Sequence, residues 1–326
     1  MLISLILLAC SQQPESTKKV EDTTVVLTTE ELSGYKPLPD NYFLNGTRPS
    51  DSVIALGNSL FHEKNLSLDK DLSCSSCHDL SLAGVDGKKF STGHAGSLTG
   101  RNSPTVLNAA GHFSQFWDGR ADSVETQALG PILASGEMAM PNADAVVSVL
   151  KSDSNYVLKF KEAFPGESDP ITFKNVGVAI GAFERTLVTP SRWDLLLNGD
   201  QGALTDAEKN GFKTFSQAGC GACHGGQLLG GQTYMKLGLV NPWPNQEDQG
   251  RYNLTKNDSD KMMFKVPSLR NSTVTAPYFH DGSAADLRTA VKMMGHHQLG
   301  GELSDEDADS IATWLGSTAG VRADIK

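Results

Sequence analysis

The apolar residues of this chain recur mostly at helical spacing. Residues 53–61 predict one helix, and residues 143–150 and 171–187 predict two more. Pro190 ends the last of these, because proline cannot continue a helix. Strict alternation of apolar and polar residues, which is typical of half-buried strands, is rare along the chain. The pattern therefore predicts a mostly α fold.

Further helices carry clear start signals. Thr205 and Glu208 form a capping box, in which each side chain satisfies a free backbone N–H at the helix start. Ser304 begins the last helix in the same manner, and residues 286–294 have the pattern of a short helix. By contrast, residues 82–101 are rich in glycine and have few periodic apolar positions. They predict a loop that lies close against a ligand.

The N-terminal 40 residues differ from the rest. Residues 1–9 are nearly all apolar but far fewer than the ~20 that span a bilayer, and they are typical of an export signal. Together with Cys10 they resemble a bacterial lipobox, so residues 1–10 are interpreted as a lipoprotein-type signal; a chance cysteine in an ordinary signal peptide is the alternative. Residues 11–40 are rich in Ser, Thr, Glu and Lys and predict a tether.

Length and sequence echoes predict two domains. The chain has 326 residues, and one domain takes about 150. Residues 104–108 (PTVLN) align with residues 267–271 (PSLRN), and residues 117–119 (WDG) align with 280–282 (HDG) at the same offset. We therefore predict two homologous domains, 41–189 and 190–326. The sequence leaves open whether the last helix packs back on the first domain.

Composition narrows the class of partner. Apolar residues make up 39% and charged residues 20% of the chain, as in soluble globular proteins. The net charge of −10 argues against nucleic acid and is compatible with small basic redox proteins.

The candidate chemistry lies in a pentapeptide that occurs twice. Cys74, Cys77 and His78 form one C-x-x-C-H motif, and Cys220, Cys223 and His224 form the other. This is the attachment sequence of c-type haem: two thiols bind the porphyrin, and the adjacent histidine ligates the iron. A zinc site would need further ligands at metal spacing. We therefore predict two covalent haems c, and hence a periplasmic protein, because bacteria attach haem c outside the cytoplasm.

The second ligand of each iron decides what the haem does. An additional strong ligand gives an electron carrier, whereas a face that can open allows peroxide chemistry. The candidates are the methionines and six histidines: His62, His94, His112, His280, His296 and His297. His94 stands out because it lies in the glycine-rich loop, where a ligand can leave the iron. Spacing does not choose between Met293 and Met294 in the predicted helix.

From about residue 51 to 321 the chain resembles the bacterial di-haem cytochrome c peroxidases. The resemblance depends on motifs that occur in order along most of the globular chain. They are the first haem motif, 93–96 (GHAG), 101–108 (RNSPTVLN), 115–120 (QFWDGR), 183–187 (FERTL), the second haem motif and 275–282 (TAPYFHDG).

The resemblance implies a division of labour between the haems. The N-terminal haem is expected to react with peroxide, with His94 as a removable iron ligand opposite His78. The C-terminal haem is expected to receive electrons, with Met294 as the ligand opposite His224. A related maturation enzyme for methylamine dehydrogenase has tyrosine at that place, so Met294 favours a peroxidase.

The resemblance also assigns other site residues. Glu137 is expected to be the acid–base residue and Gln127 a supporting amide, although Glu137 taken alone resembles a solvated loop glutamate. Trp117 is expected to lie on the electron path between the haems, with core packing as the alternative. Calcium is expected to bind between the domains through groups of Asn102, Thr275 and Pro277, an oxygen set that suits a hard cation.

The sequence therefore predicts a periplasmic cytochrome c peroxidase. It would reduce hydrogen peroxide with electrons from a small donor, a cytochrome c or a cupredoxin, and a homodimer is implied by the resemblance. A di-haem electron carrier without peroxidase activity and a maturase-like oxidase are the alternatives.

Overall fold

The computed structural model describes residues 24–320 and is mainly helical, as the apolar pattern predicts. The helices are α1 (Thr29–Leu32), α2 (Asp51–Phe61), α3 (Cys74–Cys77), α4 (Val124–Leu133), α5 (Ala143–Ser152), α6 (Ser154–Ala163), α7 (Phe173–Glu184), α8 (Arg192–Leu197), α9 (Asp206–Gln217), α10 (Tyr252–Thr255), α11 (Leu287–Met294) and α12 (Asp305–Gly316). Two strands, β1 (Tyr234–Lys236) and β2 (Met263–Lys265), pair antiparallel, with Tyr234 opposite Lys265.

The N-terminal core forms where α2 and α4 pack against α7 and where α6 packs against α2. Leu60, Phe61 and Ile180 are fully buried there. Gly57 allows α2 and α7 to approach closely, since a Cβ at this position would lie 1.8 Å from the carbonyl oxygen of Ala179. The predicted helices at 53–61, 143–150 and 171–187 correspond to α2, α5 and α7.

The C-terminal core forms around the contact of α9 with α12. Its aromatic centre is Trp193, Phe212, Phe215 and Trp314, whose rings contact one another edge to face or tilted. The predicted capping box at Thr205 is present, and Ser304 caps α12. The last helix packs on α9 and α11 of its own half.

Residues 24–40 are packed structure and not the predicted tether. Leu27 is buried in the C-terminal core, and Tyr35 contacts Trp193 edge to face. Lys209 Nζ donates to the carbonyl oxygen of Val25 at 2.8 Å. The composition is misleading because single apolar side chains among polar ones insert into the core one at a time. Cys10, the signal 1–10 and residues 11–23 lie outside the described residues.

The local backbone repeats at the two sequence echoes. Asn108 and Asn271 both have φ of +61°, and Phe116 and Phe279 have φ of +66° and +71°. Both asparagine Nδ2 atoms donate to the hydroxyl of Thr189, at 2.8 and 2.9 Å. Thr189 therefore joins the two halves at the predicted boundary, whereas the homology of the halves stays a prediction.

Among residues 24–320, no helix has both the length and the apolar character needed to cross a membrane.

The contact at Gly57 gives a stability prediction. Gly57→Ala inserts a methyl group into a backbone carbonyl, and we expect a loss of about 1–3 kcal/mol in the free energy of unfolding, which is typical of overpacking. Gly166→Ala is the control, because the space around that position is open. Urea unfolding of both variants measures the difference, and equal midpoints would contradict the close packing of α2 on α7.

Candidate haem sites

The first haem motif lies at the edge of a cavity in the N-terminal half. Ser73 caps the short helix α3, which carries Cys74 and Cys77 and ends at His78. His78 Nδ1 lies 3.3 Å from the carbonyl oxygen of Gly84. This contact places the proton on Nδ1 and leaves Nε2 free to ligate a metal, as in metal-binding histidines generally. All three motif residues line the cavity.

The second motif has the same arrangement in the C-terminal half. A single turn, Cys220–Ala222, precedes His224, whose Nδ1 lies 3.1 Å from the carbonyl oxygen of Leu229. The cavity it lines also contains Met294, the last residue of α11. The structure thus brings Met294 together with His224.

Both cavities fit a covalently held haem. The four described cysteines are free, and burial raises the pKa of Cys74 to about 12 and of Cys220 to about 11. Because they are not paired in disulfides, these thiols are available for addition to the vinyl groups of a haem. The C-terminal cavity is lined largely by apolar side chains that match a flat macrocycle, among them Phe215, Leu269, Leu287, Val291, Ile311 and Leu315.

Trp117 stands in a wall that the two cavities share. Its side chain lines both of them, as do Asn102 and His280. Trp117 Nε1 donates to the carbonyl oxygen of Asn102 at 2.9 Å, and the Lys265 N–H donates to the carbonyl oxygen of Trp117 at 2.8 Å. The indole is therefore held from the N-terminal half, and the backbone of Trp117 is held from the C-terminal half.

Gln127 and Glu137 both line the N-terminal cavity, together with the first haem motif. Gln127 lies on α4, and Glu137 follows in the turn after it. Burial raises the pKa of the Glu137 carboxyl, and the nearby Arg120 guanidinium partly offsets this effect. The carboxyl group is thus a sheltered group that can exchange a proton.

The structure does not bring His94 into the N-terminal cavity. Its Nδ1 lies 2.9 Å from a carboxylate oxygen of Asp69, and the residue is not part of the cavity lining. The loop is fixed against the segment of Glu137, because the His94 N–H donates to the Glu137 carbonyl oxygen at 2.8 Å. Gly93 permits this approach, since a Cβ there would lie 1.9 Å from the Gly136 oxygen.

The three residues predicted to bind calcium line the C-terminal cavity together. Asn102 comes from the N-terminal half, and Thr275 and Pro277 come from the C-terminal half. The Asn102 amide donates to the carbonyl oxygen of Lys88 at 2.9 Å, which fixes the orientation of its side chain.

The charges around the two cavities differ. Among the described residues, the N-terminal cavity is lined by two arginines, Arg101 and Arg120, and by six acidic residues: Asp118, Glu137, Glu184, Glu247, Asp248 and Asp281. The described lining of the C-terminal cavity contains no acidic residue, but it contains three basic ones: Lys236, Lys265 and Arg270.

Sequence reasoning missed two of these titratable groups. Glu184 lies in the FERTL motif but carried no predicted role, and it is fully buried, so its pKa rises to about 8. Lys265 stands just before the second sequence echo and contacts His112. Because both acquire their environment from distant parts of the chain, only their proximity to the motifs could have pointed to them.

The chain matches two families. The family described as di-haem cytochrome c peroxidase matches residues 51–202, and the family described as cytochrome c matches residues 208–319. The cytochrome c551 peroxidase of Pseudomonas aeruginosa is 43% identical over 293 residues, which are 88% of this chain and 84% of that protein. The methylamine utilization protein MauG of Methylorubrum extorquens is 37% identical over 76% of this chain and 69% of that protein.

A solved structure has the same fold. A MauG-like protein associated with microbial copper homeostasis superimposes with a TM-score of 0.77 at 29% identity, over 87% of this chain and 94% of that one.

The buried Glu184 gives a pH prediction. Between the usual value of 4.5 and about 8, the folded protein binds the Glu184 proton more tightly than the unfolded chain. The stability of the wild type therefore falls as the pH rises through this interval. Glu184→Gln does not titrate, so we expect it to gain stability relative to the wild type, by up to about 1.4 kcal/mol per pH unit.

Unfolding of the haem-loaded proteins between about pH 5 and pH 8 measures this difference. The exposed Glu162→Gln is the control. Parallel stability curves for Glu184→Gln and the wild type would show that Glu184 is not held protonated.

Proposed function

Because the chain belongs to the bacterial di-haem cytochrome c peroxidase family, we propose that it reduces hydrogen peroxide to two waters with two electrons from a small donor protein. The observation that carries the proposal is the composition of the N-terminal cavity. A carboxyl group and an amide, Glu137 and Gln127, share it with the first haem motif, and Trp117 separates it from the second.

Residues of the N-terminal cavity move the proton and orient the substrate. When bound at His78, the haem supplies the iron at which the peroxide O–O bond is broken. Glu137 takes the proton from one peroxide oxygen and delivers it to the other, which then leaves as water. The Gln127 amide holds the peroxide in position for this transfer. Partial burial of Glu137 supports the role, because it keeps the carboxyl group sheltered and able to hold a proton.

The charges around the cavities support the direction of electron flow. Positive groups nearby stabilise the reduced form of a redox centre, and negative groups stabilise the oxidised form. The basic C-terminal cavity therefore suits the high-potential haem, ligated by His224 and Met294, which accepts electrons from the donor. The acidic N-terminal cavity suits the low-potential one, and Trp117 lies on the path between them.

His94 is proposed as a removable ligand of the N-terminal iron. In the resting oxidised protein it would occupy the face opposite His78 and exclude peroxide. Reduction of the C-terminal haem would release it. The ion pair with Asp69 supports this proposal, because it offers the imidazole a partner away from the cavity.

Calcium is proposed to bind between the halves at Asn102, Thr275 and Pro277, where it would couple reduction to the loop of His94. The shared location of these residues supports the site, and metal analysis of the purified protein together with Asn102→Ala tests it. The export signal and Cys10 support a periplasmic location with a lipid anchor. The donor would be a cytochrome c or a cupredoxin.

Peroxide turnover by the half-reduced protein with a reduced c-type cytochrome tests the function. We expect Glu137→Gln to lower kcat/KM by about 10²–10⁴-fold, because it removes the proton shuttle. Both haems and their spectra should stay unchanged in this variant. Glu162→Gln is the control for loss of one carboxylate. Wild-type protein that carries both haems but shows no turnover would instead indicate an electron carrier.

The role of His94 has its own test. We expect His94→Gly to turn over peroxide from the fully oxidised state, whereas the wild type needs prior reduction. His62→Gly is the matched control, because His62 is an exposed histidine at the end of α2. Equal dependence on prior reduction in His94→Gly and the wild type would remove His94 from the mechanism.

A further inference from the structure

Lys265 and His112 form a buried pair at the edge of the C-terminal cavity. Lys265 Nζ lies 2.9 Å from His112 Nδ1, and the lysine residue is only 6% exposed. Both residues line the cavity. In the function proposed above, His112 has no role, and Lys265 counts only as one of three basic residues around the cavity.

Lys265 differs from the other buried cations of the described chain. Arg185, Lys209 and Arg270 each have a carboxylate oxygen within 4 Å, from Glu125, Asp206 and Asp194 respectively. No carboxylate pairs with Lys265 among residues 24–320. A buried ammonium group without a counter-ion is costly, and its burial lowers the pKa of Lys265 to about 8. The ammonium group of Lys265 therefore has no counter-ion among the described residues.

The His112 imidazole of the pair also has a hydrogen-bond donor without an acceptor. An ammonium group only donates hydrogen bonds, so Nδ1 of His112 must accept and its Nε2 must carry the proton. That Nε2 is buried without a hydrogen-bond partner among the described residues. The imidazole cannot swing away easily, because Gly231 packs against it so closely that a Cβ there would lie 2.4 Å from His112 Cδ2. The pair presents N–H groups only.

The backbone of the pair is anchored to the wall between the cavities. Lys265 ends β2 and donates its N–H to the carbonyl oxygen of Trp117. The described lining of the C-terminal cavity contains no acidic side chain that could reach the ammonium group. A carboxylate must therefore come with the ligand, and the propionates are the carboxylates of a haem.

We propose that Lys265 and His112 form a carboxylate site that binds a propionate of the C-terminal haem. Lys265 supplies the charge and a hydrogen bond, and His112 fixes the ammonium group in place and offers its Nε2–H as a second donor. The fixed positive charge of Lys265 stabilises the reduced haem and raises its potential. The inference depends on a haem in the C-terminal cavity, as proposed above, but not on peroxide turnover.

Redox titration of the high-potential haem in the intact protein tests the site. We expect Lys265→Gln to lower the ratio of reduced to oxidised haem at a fixed potential by at least about tenfold, which corresponds to ~59 mV for one electron. His112→Phe should lower this ratio less, because the Lys265 charge remains but loses its hydrogen bond to His112. Lys261→Gln is the control: it removes one lysine that is exposed and pairs with Asp258. A potential of Lys265→Gln equal to that of the control would overturn the proposal.

Two further experiments distinguish a haem propionate from a free anion as the source of the carboxylate. Added acetate at constant ionic strength should leave the wild-type potential unchanged, and an acetate-dependent potential would assign the site to a free anion and overturn the haem assignment. Infrared difference spectra of the wild type across the high-potential transition need no variant. We expect a carboxylate band that shifts when the haem carries ¹³C-labelled propionates, and the absence of such a band would also overturn the proposal.

The outcomes distinguish this inference from the proposed function. A protein without peroxide turnover whose potential falls in Lys265→Gln keeps the carboxylate site and loses the peroxidase function. A protein with full turnover whose potential is insensitive to Lys265 loses the carboxylate site alone.

Discussion

The arrangement of both cavities depends on the hydrogen bonds that hold their common wall. The Asn102 N–H donates to the His280 carbonyl oxygen, and Trp117 lies between Asn102 and Lys265 through two further bonds. The bond between Trp117 and Asn102 lies within the N-terminal half, and the other two bonds connect this half to the C-terminal half. Arg101 strengthens the same junction by pairing with Asp118 of its own half and Asp248 of the other. Neither cavity has a complete lining without residues of the other half.

The parts of the fold that could be predicted from the sequence are those encoded by adjacent residues. The helical stripe of α2, the capping box at Thr205 and the two haem motifs are each read within a few positions. The packing of Leu27 and the contact of Lys265 with His112 join residues more than a hundred positions apart, so no local pattern reports them. The roles of Gln127 and Glu137 were predicted from the resemblance alone. The two residues line the same cavity only because the chain turns after α4, and no local sequence pattern reports this turn.

The distribution of charge carries more information than its total. The net charge of −10 argues against nucleic acid as a partner, but it does not distinguish one haem from the other. The described linings do, since acidic side chains outnumber basic ones around the first motif, whereas the lining around the second contains basic side chains and no acidic one. Because electrostatic effects are strongest where water is excluded, two chemically identical haems in these cavities would acquire different affinities for an electron. The pentapeptides are equivalent, and their surroundings are not.

The hydroxyl group of Thr189 connects the two halves, so they are not fully independent modules. It accepts hydrogen bonds from Asn108 and Asn271, and the Asn108 side chain in turn accepts from the Thr189 backbone. These groups are buried, so dividing the chain after Thr189 would leave the Asn271 amide without this acceptor, at about 1–3 kcal/mol. Each half has its own core, but the two halves share this buried junction.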